Sequence, residues 1–164
     1  MKEELLSEIE PYIKFSEIGI EKESLRHFNS KISQRPHPKS LGSSLCNSYI
    51  TTDFSEAQLE FITPPFYDKR KALNFLSDIH HFFYSNVDEE MLWPFSMPPY
   101  IGKGHIPIAK FGTSSKGLFK HVYRKGLSHR YGRLMQTISG VHFNYSLPRK
   151  FWRRESRVSF GSFA

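Results

Sequence analysis

The stretch Gln136-Thr-Ile-Ser-Gly-Val-His-Phe-Asn-Tyr-Ser-Leu-Pro148 constrains the fold more than any other part of the chain. It alternates with period two, the signature of a strand whose successive side chains point to opposite faces. Ile138, Gly140, His142, Asn144 and Ser146 fall on one face; Thr137, Ser139, Val141, Phe143, Tyr145 and Leu147 fall on the other. The second face is rich in β-branched and aromatic residues and reads as the half-buried one. The first aligns an imidazole, an amide and a hydroxyl beside a glycine that leaves room for a ligand. A strand with a merely solvated polar side would look the same, so other segments have to decide.

Two of them carry carboxylates. Residues 15–26 alternate as a strand, with Glu17, Gly19, Glu21, Glu23 and Leu25 on one face and Ile18 and Ile20 opposite. Residues 57–63 form another, in which Glu60 points away from Leu59 and Phe61. Glutamates two apart on one strand face repel unless a cation or a shared proton lies between them. A hard divalent cation such as Mg²⁺ takes oxygen ligands of this kind. Glu21, Glu23, Glu60 and His142 therefore make a candidate metal set drawn from three strands. Spacing alone does not separate it from solvated glutamates.

The remaining pattern places helices around these strands. Residues 3–13 carry Leu5, Leu6, Ile9 and Ile13 at helical spacing, with Pro11 blocking a long continuation. Residues 29–42 read as a loop, and residues 49–54 begin a strand or turn. Asp68 is an N-cap for a helix whose inward stripe is Ala72, Phe75, Leu76, Ile79, Phe82 and Phe83. His80 and His81 on that helix read as packed or solvated rather than as ligands. Residues 91–108, rich in Pro, Gly and aromatics, read as irregular. Ser114 or Ser115 caps a last helix from Lys116 to about Leu127, with Leu118, Phe119, Val122 and Leu127 inward. No repeat, low-complexity run or linker divides the chain, so residues 1–164 are expected to form one α+β domain.

Charge and cysteine usage bound the setting. Up to Glu90 there are 10 Lys and Arg against 15 Asp and Glu; beyond it there are 13 against 1. Such asymmetry fits a polyanionic partner, or a basic half balanced by acidic chain folded onto it or absent. A single-stranded nucleic-acid module would need exposed aromatics among the bases, whereas the Phe residues here sit at core spacing. The single Cys46 excludes an internal disulfide and fits a reducing compartment. No apolar run is long enough for a membrane span, and the acidic N-terminus is no signal peptide. The expected location is the cytoplasm, with no membrane partner.

Six blocks resemble the proteobacterial glutamate–cysteine ligases, in that family's order and at about its spacing. They are Gly19-Ile-Glu-Lys-Glu-Ser-Leu-Arg26, Thr51-Thr-Asp-Phe-Ser-Glu-Ala-Gln-Leu-Glu-Phe-Ile-Thr-Pro64, Trp93-Pro-Phe-Ser-Met-Pro98, Phe111-Gly-Thr113, Tyr123-Arg-Lys-Gly126 and residues 135–148. The resemblance implies a glutamine-synthetase-like catalytic fold, an antiparallel sheet curved around a metal–nucleotide site. It implies ATP-dependent joining of the γ-carboxylate of L-glutamate to L-cysteine through a γ-glutamyl phosphate, the first step of glutathione biosynthesis. Mg²⁺ and ATP are the implied cofactors, glutamate and cysteine the small-molecule partners, and the intact enzyme is expected to be a monomer. By motif, Glu21, Glu23, Glu60 and His142 match metal ligands, and Gln136 and Ile138 match the lining of the glutamate site. Phe54 and Tyr123 match residues around cysteine. Arg124 fits the role of holding a carboxylate or phosphate through its planar fork, and Asp53 a role in supporting the metal site.

The family's chains are much longer, so the resemblance covers their first third and the sheet is expected to be incomplete. Residues 153–164, a basic and serine-rich tail, align with nothing in the family and read as a frameshift or premature stop. The expectation is little activity from this chain alone. Two other readings stay open: a non-catalytic remnant that at most binds a cation weakly, and a basic nucleic-acid-binding module. A related ligase that takes another amine is the alternative within the enzyme class.

Overall fold

The computed structural model describes residues 2–99, 101 and 105–155. Strand β1, Glu17–Phe28, is its spine, and every pairing along it is antiparallel. Its N-terminal half pairs on one side with β6, Val141–Ser146. On the other side lies β4, Gln58–Ile62, flanked in turn by β3, Ile50–Thr52. The C-terminal end of β1 holds two short strands, β2, Lys31–Ile32, and β5, Met91–Leu92. Asn29 and Ser30, both at positive φ, make the two-residue turn from β1 to β2. The expected loop over 29–42 thus contains a short strand and a 3₁₀ turn, and the expected irregular stretch contains β5.

Helix α1, Lys2–Ile13, ends two residues after Pro11. Helix α2, Lys69–Asn86, starts where expected: the Asp68 carboxylate accepts from the Arg70 amide at 2.8 Å. It lies over β1 and β4 on the back of the sheet. There Ile79, Phe83 and Val87 meet Leu41, Ile50, Leu59, Phe61 and Leu92 in the main core. Ala72, Ile79 and Phe83 are the buried residues of the expected stripe, Phe75 and Leu76 are half-buried, and Phe82 is exposed. His80 packs edge-on to the Phe61 ring, with a ring nitrogen 2.7 Å from the Leu76 carbonyl, and His81 is exposed. No helix among the described residues is long and apolar enough to cross a membrane.

Two expectations fail. The strand read over 136–148 begins only at Val141, because residues 135–137 close into a 3₁₀ turn. Its apolar face is also bare: Phe143 is 64% exposed, and Val141 and Tyr145 are exposed beside it. The physical reason is that α2 covers β1 and β4 and stops short of the β6 edge. Helix α3, Ser115–Tyr131, is capped by Ser114, but Leu118, Phe119 and Val122 point outward, Phe119 at 73% exposed. Of the four residues expected inward, Leu127 alone packs, against Phe54, Ile106 and Ile108. The helix instead turns its cationic edge towards the front of the sheet. A short helix, α4, Arg149–Glu155, follows β6.

Candidate active site

The front of the sheet is acidic because strand parity puts the strand glutamates there, Glu17, Glu21 and Glu23 of β1 and Glu60 of β4. Register then fixes the pairs: Glu21 lies opposite His142 across β1 and β6, and Glu23 lies opposite Glu60 across β1 and β4. Side chains directly opposite on one face are near neighbours. The His142 Nδ1 is 3.4 Å from Glu21 Oε2, and the Asn144 amide donates to Glu21 Oε1 at 2.9 Å. The Gly140 amide donates to Glu23 Oε2 at 2.9 Å. A Cβ at Gly140 would stand in ordinary contact with His142 Nε2 at 3.9 Å and Glu23 Oε2 at 4.0 Å, which places this backbone directly against the carboxylate–imidazole group.

Burial and mutual repulsion raise the cost of charge here. Glu60 is pushed up to about 7, first by burial and then by Asp53, Glu21 and Glu23, with His142 opposing. Burial lifts Glu23 as well; the Gly140 hydrogen bond pulls it back, and Asp53 and Glu21 push it further up. The donor set has the chemistry of a site for a hard cation: carboxylates beside one imidazole. Among the described residues, however, no group of three or more His, Cys, Asp or Glu side chains is placed to hold a metal ion as the chain stands.

Helix α3 supplies the opposing charge. Arg124 Nε donates to the Asp53 carbonyl at 2.5 Å, and Nη2 is 3.9 Å from the Asp53 carboxylate. The guanidinium rests 4.7 Å over the Phe111 ring, and Lys120 Nζ sits 4.9 Å from the same ring. Burial lowers the pKa of both cations, while Glu60 raises both. Gly117 allows this docking: a Cβ there would stand 2.4 Å from the Phe111 carbonyl oxygen. Asp53 is thus the anchor of Arg124.

The other candidates spread around this centre. Tyr123 is exposed next to Arg124. Gln136 is half-buried in the 3₁₀ turn and Ile138 is exposed at its end, with Thr137 fully buried between them. Phe54 is 2% exposed, held under Ile106 and Ile108 rather than on the surface. Sequence reasoning gave no role to Lys120, Phe111 or Asn144. Asn144 left a trace as the neighbour of His142 on the polar face of its strand, and Phe111 as the start of one of the six blocks.

The sequence profile of the family described as glutamate–cysteine ligase matches residues 4–160. A glutamate–cysteine ligase of Alcanivorax borkumensis is 53% identical over 142 residues, which make up 85% of this chain and 27% of that protein. Among solved structures, the glutamate–cysteine ligase of Francisella tularensis in complex with AMP superposes with a TM-score of 0.82 at 39% identity, over 87% of this chain and 29% of that one. A bifunctional glutathione synthetase from Pasteurella multocida gives a TM-score of 0.79 at 31% identity, over 96% of this chain and 21% of the other. The α+β fold expected from the sequence is the one these neighbours share. The chain spans less than a third of the length of each of these proteins.

Proposed function

Because the chain belongs to the glutamate–cysteine ligase family, we propose that the acidic face of its sheet is one wall of a ligase active site. There the γ-carboxylate of L-glutamate is joined to the amine of L-cysteine, driven by ATP, in the first step of glutathione biosynthesis. One observation carries this reading: Glu21 stands in register with His142 and Glu23 with Glu60 on one face of the sheet, the three glutamates half-buried and His142 exposed. Crowded carboxylates at such a place favour a bound cation. Glu21, Glu23, Glu60 and His142 would hold Mg²⁺, which when bound supplies neutralising charge for the phosphate oxygens of ATP.

In the reaction, a γ-carboxylate oxygen of glutamate attacks the γ-phosphorus of ATP and ADP leaves. The cysteine amine then attacks the carbonyl carbon of the acyl phosphate, sheds a proton and releases inorganic phosphate. Arg124, fixed by Asp53 and the Phe111 ring, orients a carboxylate or phosphate through its planar fork. Gln136 and Ile138 line the glutamate side. Tyr123 presents a ring to the cysteine, and Phe54, from beneath, holds the turn that carries Asp53. The intact ligase acts in the cytoplasm as a monomer. This stretch alone has little or no activity, a reading supported by the absence, among the described residues, of any group of three His, Cys, Asp or Glu side chains placed to hold a metal ion.

Two measurements test this. Millimolar Mg²⁺ raises the thermal midpoint of the chain, and Glu21→Gln abolishes the rise; an unchanged midpoint, or a rise that survives the substitution, removes the metal assignment. In a coupled assay the chain releases no ADP with ATP, glutamate and cysteine. ADP release dependent on both amino acids overturns the claim of inactivity.

A further inference from the structure

A cavity of about 520 Å³ opens where the end of α1, the turn before α2 and the start of α4 meet. None of the candidate active-site residues lines it. Its lining combines three rings, Tyr12, Phe15 and Tyr67, with three cations, Lys14, Arg149 and Lys150, and includes no Asp or Glu. Segments from opposite ends of the sequence build it, and they are tied together. Tyr12 packs edge-on to Phe151 at 5.4 Å, and the Ser16 hydroxyl is hydrogen-bonded to the Tyr145 hydroxyl at 2.7 Å.

Two of the rings keep free faces: Tyr67 is 70% exposed and Phe15 is 53% exposed. Lys14 Nζ lies over one face of the Phe15 ring, 5.1 Å from its centre, so the ring and the cation are presented together. The nearby Glu17 carboxylate is engaged by the Tyr67 hydroxyl and does not line the cavity. Three cations gathered around apolar rings with no carboxylate among them repel one another and favour an anion. The volume is that of a small-molecule site, roughly 300–1,000 Å³.

The geometry points to a binding site for a flat aromatic ring that carries an anionic group. The ring lies against Phe15 and Tyr67, and the anion meets Lys14, Arg149 and Lys150. Aryl phosphates, aryl carboxylates and nucleotides share this chemistry, and the site needs both halves of it in one molecule.

The test is an amide chemical-shift titration of the full chain with three probes: phenyl phosphate, inorganic phosphate and benzyl alcohol. Phenyl phosphate is expected to saturate, to move the amides of Lys14, Phe15, Tyr67 and Lys150, and to bind about tenfold tighter than either half alone. Tyr67→Ala, and separately Lys14→Gln with Lys150→Gln, each weaken it about tenfold while the thermal midpoint stays put, because these side chains are exposed. Equal binding of inorganic phosphate or of benzyl alcohol overturns the proposal. So do shifts centred on Glu21, Gly140 and Asn144, unchanged affinity in both variants, or no saturable binding.

Discussion

Two glycines on α3 predict opposite outcomes for one substitution. Replacing Gly by Ala inside a helix ordinarily gains about 0.5–1 kcal/mol, from backbone entropy lost by the unfolded chain. Gly126 has nothing within 4 Å of the position its Cβ would take, so Gly126→Ala keeps that gain. At Gly117 the Cβ stands 2.4 Å from the Phe111 oxygen, 3.0 Å from its carbonyl carbon and 3.1 Å from the Gly112 oxygen. All three are backbone atoms, and the shortest approach is about 1 Å inside ordinary contact. Relieving it means lifting the start of α3 off the Phe111 segment, an overpacking cost of ~1–3 kcal/mol. Set against the helix gain, Gly117→Ala loses up to ~2 kcal/mol. For a chain of this size each kcal/mol moves the midpoint by about 2–4 °C. Thermal and urea unfolding of the two variants and of the pair measure the difference directly. The sites are nine residues apart, about 13 Å along the helix, so the double variant is additive. The Arg124 Nε–H resonance reports the displacement, since its partner is the Asp53 carbonyl and its guanidinium lies on Phe111. If Gly117→Ala stabilises as much as Gly126→Ala, the close approach is not there and the account of how α3 presents Arg124 fails.

Arg26 is fully buried with Glu90 at 2.5 Å, and its other terminal nitrogen serves the carbonyls of Arg35, Pro36 and Glu56. Arg26→Met strands a buried carboxylate and is expected to cost about 3–5 kcal/mol, or roughly 6–20 °C in midpoint; a loss under about 1 kcal/mol would sink this reading. The pKa of His37 is lowered by burial and then by the Arg26 charge, against weaker pulls from Glu56 and the Gly42 backbone. Its share of stability is therefore complete above the unfolded value of 6.5 and declines as pH falls below it, because the unfolded chain takes the proton first. Burial lowers His80 in the same direction. His37→Gln should flatten the decline in midpoint between about pH 6.5 and 5, and an unchanged slope would count against it.

Parity along the strands was legible in the sequence, and with it the membership of the acidic face. Glu21 and Glu23 had to share a side, Glu60 had to oppose Leu59 and Phe61, and His142 had to oppose Val141 and Phe143. Register was not legible. That Glu23 meets Glu60 and Glu21 meets His142 depends on turns and on the 3₁₀ turn at residues 135–137, which consumed the first part of the expected strand. The site's cationic side was half legible. The residue type of Arg124 suggested an oxyanion ligand, but its anchoring by Asp53 and Phe111 brings together segments some 60 to 70 residues apart or separated by a helix start.

Both errors about burial have one physical source. Periodicity says which residues share a face, and it is silent on whether that face finds a cover. For β6 the cover does not come from α2, which lies over β1 and β4, so Phe143 stays bare although its register partner Ile20 is buried. For α3 two faces compete. Turning Leu118, Phe119 and Val122 inward would press apolar groups onto the carboxylate face, removing water from Glu23, Glu60 and Asp53 with no compensating charge. Turning Lys120 and Arg124 inward brings cations to the same carboxylates and leaves the apolar residues in solvent, where each costs ~1.5–3 kcal/mol of unrealised burial. Desolvating unpaired carboxylates costs several kcal/mol per ion, so the charged edge prevails. The helix that looks amphipathic for packing thereby turns its cations, rather than its apolar stripe, towards the carboxylates.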